Sequence, residues 1–249
     1  IAALARAGQT LDDTRYTAAA VRAADFMLRI LRAENGRLLK RYRNGNAGLP
    51  AHLDDYAFTV WGLLELYETT LEVTYLQEAI RINDQMLAHF WDDTNGGLYM
   101  TADDGEKLLI RSKDIYDGAI PSGNSVAALN LLRLGHMTGR QEYLKKAEEI
   151  TRVFAGTVNR YPPGHSQLMV ALQYALNPNY EVVIVGQPDA KDTRAMLAAL
   201  RKPFLPGKVV LLRPADKNKA AAIIRLAPYT EFMAAKNNRA TAYVRTDFV

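Results

Sequence analysis

Hydrophobic and polar positions along this chain alternate between two kinds of predicted helix. Residues 57–67 and 126–134 are apolar on nearly every face, which is typical of helices that are buried all round. Residues 76–90 repeat apolar side chains at helical spacing and leave one polar face, which predicts an amphipathic helix. Alternation of these two kinds predicts two layers, in which each inner helix is covered by an outer one.

The amphipathic helices carry an internal repeat. A Tyr-x-x-x-Ala core recurs at Tyr16 and Ala20, at Tyr75 and Ala79, and at Tyr143 and Ala147. Each core follows a short apolar helix and a polar turn, and these turns are predicted at residues 8–10, 68–70 and 135–139. Repeated hairpins predict a mainly α fold, part of an (α/α)6 toroid, with an open α-solenoid as the alternative. A full toroid of this kind has six hairpins, so the chain is expected to hold about half of one. Because it opens at Ile1 inside an apolar helical run, we expect a fragment of a longer protein whose preceding helices complete the ring.

The pattern changes after Pro178. The elements that follow are a β-branched strand, a helix, a second strand and a third strand, at residues 181–186, 189–200, 208–212 and 240–244. Asp189 is the predicted N-cap of the helix. Strand, helix and strand in this order predict a right-handed parallel crossover. We therefore expect two domains: a toroid portion over residues 1–178 and a small α/β C-terminal appendage over residues 179–249.

Composition narrows the classes of function. The chain has 249 residues, of which 49% are hydrophobic and 23% charged, and this excludes a disordered protein. No apolar run reaches about 18 residues, so we expect no membrane span. The 31 basic and 27 acidic residues are dispersed, so we expect no nucleic-acid partner. No metal-binding or nucleotide-binding motif is found, so we expect no cofactor and no metal. The absence of cysteine fits a reducing, cytoplasmic compartment.

Candidate chemistry lies in the loops that enter the inner helices. Successive inner helices of a toroid run parallel, so their N-termini line one funnel, where helix dipoles favour polar or anionic ligands. The first entry holds Asp54 and Asp55 beside His52 and Tyr56, and Trp61 follows within two turns. Carboxylates at such a rim can bind sugar hydroxyls or transfer protons, although either acid would also serve as an N-cap.

The second and third entries extend this candidate site. Asp117, Ser122, Asn124 and Ser125 lie among glycines that allow a ligand to approach the backbone, with a capped turn as the alternative. His165, at the third entry, is a candidate general base or a structural histidine. The candidate catalytic residues are Asp54, Asp55, Asp117 and His165, and the candidate substrate-binding residues are His52, Tyr56, Trp61, Ser122, Asn124 and Ser125.

Two of these entries are similar to motifs of a known family. Residues 53–67, LDDYAF followed by WGLLELY, resemble its first motif, and residues 117–127, DGA followed by PSGNSVA, resemble its second. The family is that of bacterial YyaL and vertebrate spermatogenesis-associated protein 20, in which a thioredoxin-like domain precedes a toroid similar to N-acylglucosamine 2-epimerases and six-hairpin glycosidases. The resemblance covers essentially the whole chain. Because the sequence opens at Ile1 and closes with residues 245–249, we expect it to lack the family's thioredoxin-like domain, first toroid helices and cysteine-containing tail.

The resemblance implies a carbohydrate-active toroid, acting as a sugar epimerase/isomerase or as a glycoside hydrolase. Glycosidase relatives use a rim aspartate, for which Asp54, Asp55 and Asp117 are the analogues by position. The implied partners are a sugar or sugar phosphate and the thioredoxin-like domain of the parent chain. The alternative is a non-catalytic binding platform that presents a client to that domain.

Overall fold

The computed structural model describes residues 1–246. Its helices are α1 (Ala2–Leu11), α2 (Thr14–Ile30), α3 (Leu53–Thr70), α4 (Val73–Phe90), α5 (Gly123–Thr138), α6 (Gln141–Arg160), α7 (Ser166–Leu176), α8 (Lys191–Arg201) and α9 (Lys217–Leu226). Its strands are β1 (Leu39–Arg43), β2 (Asn46–Pro50), β3 (Tyr180–Gly186), β4 (Lys208–Pro214) and β5 (Thr241–Thr246). No helix within these residues has both the length and the hydrophobicity needed to cross a bilayer.

The helices form an inner and an outer layer. Helices α1, α3, α5 and α7 contact one another in that order and form the inner row, and α2, α4 and α6 each pack on the preceding inner helix. The repeat alanines Ala20, Ala79 and Ala147 are buried, so the outer helices approach the inner row through small side chains. The predicted mainly α fold is confirmed, and this layering agrees with part of a helical toroid. Closure of the ring remains a prediction.

The hairpin turns come later than predicted. Gly8 and Gly135 belong to helices α1 and α5, and the predicted second turn is the end of α3. The reason is close packing within each hairpin: a Cβ on Gly8 would lie 2.2 Å from Thr17 Oγ1, and one on Gly135 would lie 2.3 Å from Leu144 Cδ2. These two glycines therefore allow neighbouring helices to approach. Gly139, in a left-handed conformation with φ 77°, ends α5 instead.

Beyond the last inner helix, a three-stranded sheet has the order β4-β3-β5. Strands β3 and β4 are parallel and are joined through α8, which confirms the predicted parallel connection, and β5 pairs antiparallel with β3. The predicted N-cap is wrong. Ala190 precedes the first turn of α8, because its amide donates to Gln187 O (3.0 Å) and closes a turn that includes Asp189.

One apolar core contains side chains from both sides of the boundary predicted at residue 178. Val183, Val185, Val209 and Leu211 on one face of the sheet belong to the same buried cluster as the inner helices. The opposite face packs under α8 in a second, smaller cluster that includes Leu197. The division into residues 1–178 and 179–249 stays a prediction, and residues 247–249 of the predicted C-terminal segment lie outside the described residues.

Candidate functional site

The three predicted entries meet at one end of the inner row. A Cβ on Gly123 would lie 2.5 Å from Asp54 Oδ1 and 2.6 Å from Leu53 Cγ, so the first turns of α3 and α5 are in direct contact. Asp117 accepts hydrogen bonds from the amides of Ser122 (2.9 Å) and Gln167 (2.8 Å), and so joins the N-termini of α5 and α7. Helices α3, α5 and α7 therefore run parallel and begin at a shared end.

Asp117 binds the backbone of two helices. Its Oδ1 accepts from the Ser122 amide, and its Oδ2 accepts from the amides of Gln167 and Leu168 (2.8 and 3.1 Å). The side chain is buried, and its own amide donates to Gly164 O (2.8 Å). Both carboxylate oxygens are thus used as helix caps, the alternative that the sequence left open for this entry.

Ser122, Asn124 and Ser125 are buried and hold the second entry in place. Ser122 is the N-cap of α5: its Oγ accepts from the Ser125 amide (3.2 Å), and the two hydroxyls lie 2.9 Å apart. The Asn124 side chain accepts from Leu98 N (2.8 Å) and donates to Leu98 O and Asp114 O (both 2.9 Å). These contacts fix the long loop between α4 and α5 against the start of α5.

Two residues of the first entry also have structural partners. Asp55 Oδ2 accepts from the His52 amide (2.8 Å), which caps the start of α3. Tyr56 is fully buried, and its hydroxyl accepts from Arg37 Nε (2.9 Å) and Leu38 N (3.1 Å). Their roles in binding or catalysis stay predictions.

Asp54 differs from the other acids of the funnel. Its side chain is half-buried, and its Oδ1 lies beside the Gly123 amide without a well-formed hydrogen bond from any described residue. Burial raises the pKa of Asp54 above its ordinary value, and the nearby charges of Asp55 and Asp114 raise it further, against the opposing effects of the Gly123 amide and His52. Asp54 is therefore a carboxyl group that holds its proton more tightly than an exposed aspartate does.

Asp54 opens into a cavity of about 430 Å³. The cavity is lined by Lys40, His52, Asp54, Asp55, Phe58 and Ile120. His52 Nδ1 lies 3.2 Å from Lys40 Nζ, and because an ammonium group has no acceptor, Nδ1 accepts this hydrogen bond. A neighbouring cavity of about 380 Å³ shares Lys40, Asp55 and Phe58 and extends to Trp61. Cationic, acidic and aromatic groups thus converge beside Asp54.

Trp61 and His165 lie on different sides of the funnel. The Trp61 ring is 6.0 Å from the Phe58 ring, and its Nε1 donates to Glu65 Oε1 (3.3 Å). His165 is buried and does not line the Asp54 cavity. Its Nδ1 lies 2.8 Å from Ile115 O, and because a carbonyl only accepts, Nδ1 carries the proton there. Trp61 is therefore within reach of the Asp54 cavity, and His165 is not.

Sequence reasoning missed Lys40 and a buried ion cluster. Lys40 lies on the β1–β2 hairpin, which the helical pattern did not predict. Glu65 and Arg133 form a buried ion pair between α3 and α5 (2.7 Å), and Glu68 lies 3.2 Å from Arg133. Burial opposes the charge of Arg133, but the two glutamates outweigh it and raise its pKa. A signal was present: opposite charges occupy two helices that are otherwise apolar.

One group of possible metal ligands occurs within the described part of the chain. His89, Asp103 and Asp104 place their ligand atoms within 4.8 Å of one another. Both carboxylates are exposed, His89 Nδ1 already lies 2.9 Å from Asp103 Oδ1, and Arg37 pairs with Asp104. These contacts make the group an exposed ion-pair network, and it carries no metal assignment.

Comparison with known proteins places the chain among homologues. Rat spermatogenesis-associated protein 20 is 34% identical over 254 aligned residues, which cover 98% of this chain and 32% of the relative. The human protein of the same name is 34% identical over 247 residues, 95% of this chain and 31% of the relative. The uncharacterized Caenorhabditis elegans protein B0495.5 is 28% identical over 230 residues. No family model matches. The chain spans about a third of the length of these curated relatives.

Proposed function

This chain belongs to the spermatogenesis-associated protein 20 family over the region that these alignments cover, and we propose that it contributes a carbohydrate-active site in which Asp54 transfers protons. The observation that carries the proposal is the state of Asp54. It is the funnel acid whose carboxyl is half-buried, lacks a well-formed hydrogen bond from the described residues and has a raised pKa. Asp55 and Asp117, in contrast, cap helices.

A carboxyl group of this kind suits general acid–base catalysis. A raised pKa brings the group nearer to the working pH, so it can release a proton in one step and recover it in another. Sugar epimerisation and glycoside hydrolysis both require such a group. The Lys40 ammonium in the same cavity would stabilise negative charge that develops on a sugar oxygen.

The neighbouring aromatic side chains support a sugar as the ligand. Phe58 lines the cavity, and Trp61 continues the apolar surface at a ring separation of 6.0 Å. Aromatic faces bury the C–H surface of a sugar ring, while carboxylates and amines bind its hydroxyls. Whether the site is an epimerase/isomerase or a glycosidase depends on which product forms. We also propose a cytoplasmic location.

The test is ligand-dependent melting of the full-length protein with a panel of monosaccharides, disaccharides and sugar phosphates. A ligand at about 100 times its dissociation constant adds roughly 2.7 kcal/mol to the unfolding free energy, which is a readable shift. We expect a selective shift, and we expect Asp54→Asn to abolish conversion of the bound sugar while the protein remains folded. The matched control is Asp189→Asn, at an exposed acid in the turn before α8.

A binding platform is the second candidate function, and an exposed apolar rim favours it. Tyr116, Ile120 and Tyr161 are 57%, 68% and 57% exposed at the same end of the inner row. A protein client would bury such side chains. A panel without any selective shift, together with Asp54→Asn protein that behaves like the wild type, would remove the enzyme proposal and leave the platform.

A further inference from the structure

A second polar cavity lies at the opposite end of the inner helices. It has a volume of about 450 Å³ and lies between the C-terminal halves of α1 and α3, helix α8 and the loop that leads into β4. Glu68, in its wall, follows Asp54 by 14 residues on α3, which corresponds to about 20 Å along the helix. Cavities between two structural layers are common places for small ligands.

Basic side chains dominate the wall of this cavity, which we call the basic pocket. Its charged lining residues are Arg6, Glu68, Arg133, Arg201, Lys202 and Lys208. Glu65 and Glu68 balance Arg133 and Arg6, because Arg133 contacts both acids and Arg6 pairs with Glu65. Asp12 also attracts Arg201, so Arg201, Lys202 and Lys208 supply the surplus positive charge of this wall.

The surplus positive charge of the basic pocket is unfavourable by itself. The pKa of Lys208 is lowered, mainly because burial removes water and also because Arg6 and Arg201 repel its charge, although Glu68 opposes this. The pKa of Arg201 is lowered by the same loss of hydration, even though its side chain remains open to solvent at the mouth of the pocket. An anion between these groups would relieve both effects.

Hydrogen-bond donors remain free for such an anion. Lys208 Nζ donates to Leu200 O and retains two further N–H groups. Arg201 Nη2 donates to Thr69 O (2.8 Å), and its other guanidinium N–H groups find no acceptor in residues 1–246. Glu68 Oε1 is buried and accepts no hydrogen bond from the described residues. Burial raises the pKa of Glu68, and its Oε2 pairs with Arg133 at 3.2 Å.

We propose that the basic pocket binds the phosphate group of a small phosphate monoester, through Arg201, Lys202 and Lys208. Three cations match a group that carries nearly two negative charges and three acceptor oxygens, whereas a carboxylate offers one charge. The proposal is independent of the sugar site at the funnel.

The adjoining cavity indicates what the rest of this ligand is like. It has a volume of about 680 Å³, shares Arg6, Arg133 and the loop residues 204–206 with the basic pocket, and runs along the inner row. Most of its surface is apolar, with Leu129 and Val170 among its lining side chains. A ligand held by its phosphate in the basic pocket would therefore place an uncharged, apolar body here.

Calorimetric titration of the full-length protein at constant ionic strength tests the proposal, with inorganic phosphate and phenyl phosphate as the probes. We expect both to bind, and phenyl phosphate to bind more tightly because its ring enters the apolar cavity. Arg201→Gln should weaken binding by about tenfold or more, because one charge-assisted hydrogen bond is lost. Lys202→Gln, at an exposed side chain, keeps the test valid if another variant fails to fold.

The matched control is Arg152→Gln, which removes an exposed arginine from α6 and should leave binding unchanged. Asp54→Asn should also bind phosphate like the wild type, so failure of the sugar site and failure of the phosphate site can be told apart. The proposal is overturned if neither probe binds, if chloride at the same ionic strength replaces phosphate equally well, or if Arg201→Gln and Lys202→Gln both bind as tightly as the wild type.

Discussion

Asp54 and Asp55 are adjacent in sequence but differ in their structural roles. Asp55 caps α3 by accepting from the His52 amide, so its negative charge stabilises the helix start. Asp54 gains no bond of that quality from the described residues, and burial beside Gly123 disfavours its charged form. Stability alone therefore does not explain why an aspartate occupies position 54.

This difference predicts how stability depends on pH. The pKa of Asp54 is raised above its ordinary value of 3.8 in the folded protein, so the folded state binds a proton more tightly than the unfolded state. Its contribution to stability is complete below pH 3.8 and is lost as the pH rises through the folded-state pKa. We expect Asp54→Asn to remove this loss, so that the variant is at least as stable as the wild type at neutral pH.

Urea denaturation of the wild type and Asp54→Asn between acidic and neutral pH measures this effect. The difference in unfolding free energy between the two proteins should change across this range in favour of the variant. A difference that stays constant with pH, or that moves in favour of the wild type, would show that burial does not raise the pKa of Asp54 in the folded protein.

At the residue scale, the sequence predicted that the three helix entries share one end of the inner row, but it did not separate the roles of their side chains. Asp54, Asp55 and Asp117 were equivalent candidates. The sequence of a helix entry rich in acids does not show which carboxylate accepts hydrogen bonds from backbone amides. That choice depends on contacts across helices, such as Asp117 with Gln167, 50 residues away. The ion pair of Glu65 and Arg133 was missed for the same reason.

At the element scale, glycines decide how closely the helices of a hairpin approach. A Cβ on Gly135 of α5 would meet Leu144 Cδ2 of α6 at 2.3 Å, so Gly135→Ala has to displace a packed side chain. We expect a loss of about 1–3 kcal/mol, although alanine favours the helix intrinsically. A Cβ on Gly156, in α6, would meet nothing within 4 Å apart from the neighbouring backbone of α6 itself, so Gly156→Ala should stabilise by about 0.5–1 kcal/mol.

Chemical denaturation of these two variants, which carry the same substitution, separates helix propensity from packing. Opposite signs are expected for the two changes in unfolding free energy. If both variants gain stability, α5 and α6 pack less closely at Gly135 than the structure shows. If both lose stability, Gly156 has a role that its open surroundings do not show.

Gly8 in α1 and Gly135 in α5 explain why the helices were predicted better than their ends. Hydrophobic spacing located the buried helices α3 and α5 and the amphipathic helix α4 between them, because the period of α4 follows from its one buried face. Gly8 and Gly135 were interpreted as turns, since glycine most often ends helices. Only the position of the neighbouring helix distinguishes a glycine that ends a helix from one that allows close contact.

At the scale of the whole molecule, the α/β segment and the helical layers share more than a covalent connection. His136 at the end of α5 is buried, and its Nδ1 lies 2.6 Å from Oε1 of Glu181 on β3. Val183 and Leu211 join the core that the inner helices form. A boundary at residue 178 was predicted because the pattern changes from helical to strand-like there, and such a change carries no information on whether the two sides share a core.

A shared core predicts that β3 and α5 lose structure together. Native-state hydrogen exchange of the full-length protein should therefore give similar opening free energies for the buried amides of these two elements. Glu181→Gln, which replaces a charged partner of His136 by a neutral one, should lower both by about 1–3 kcal/mol. The exposed variant Arg152→Gln should lower neither. If Glu181→Gln loosens β3 while the protection of α5 is unchanged, residues 179–246 open as a separate unit, and the boundary predicted from the sequence is the physical one.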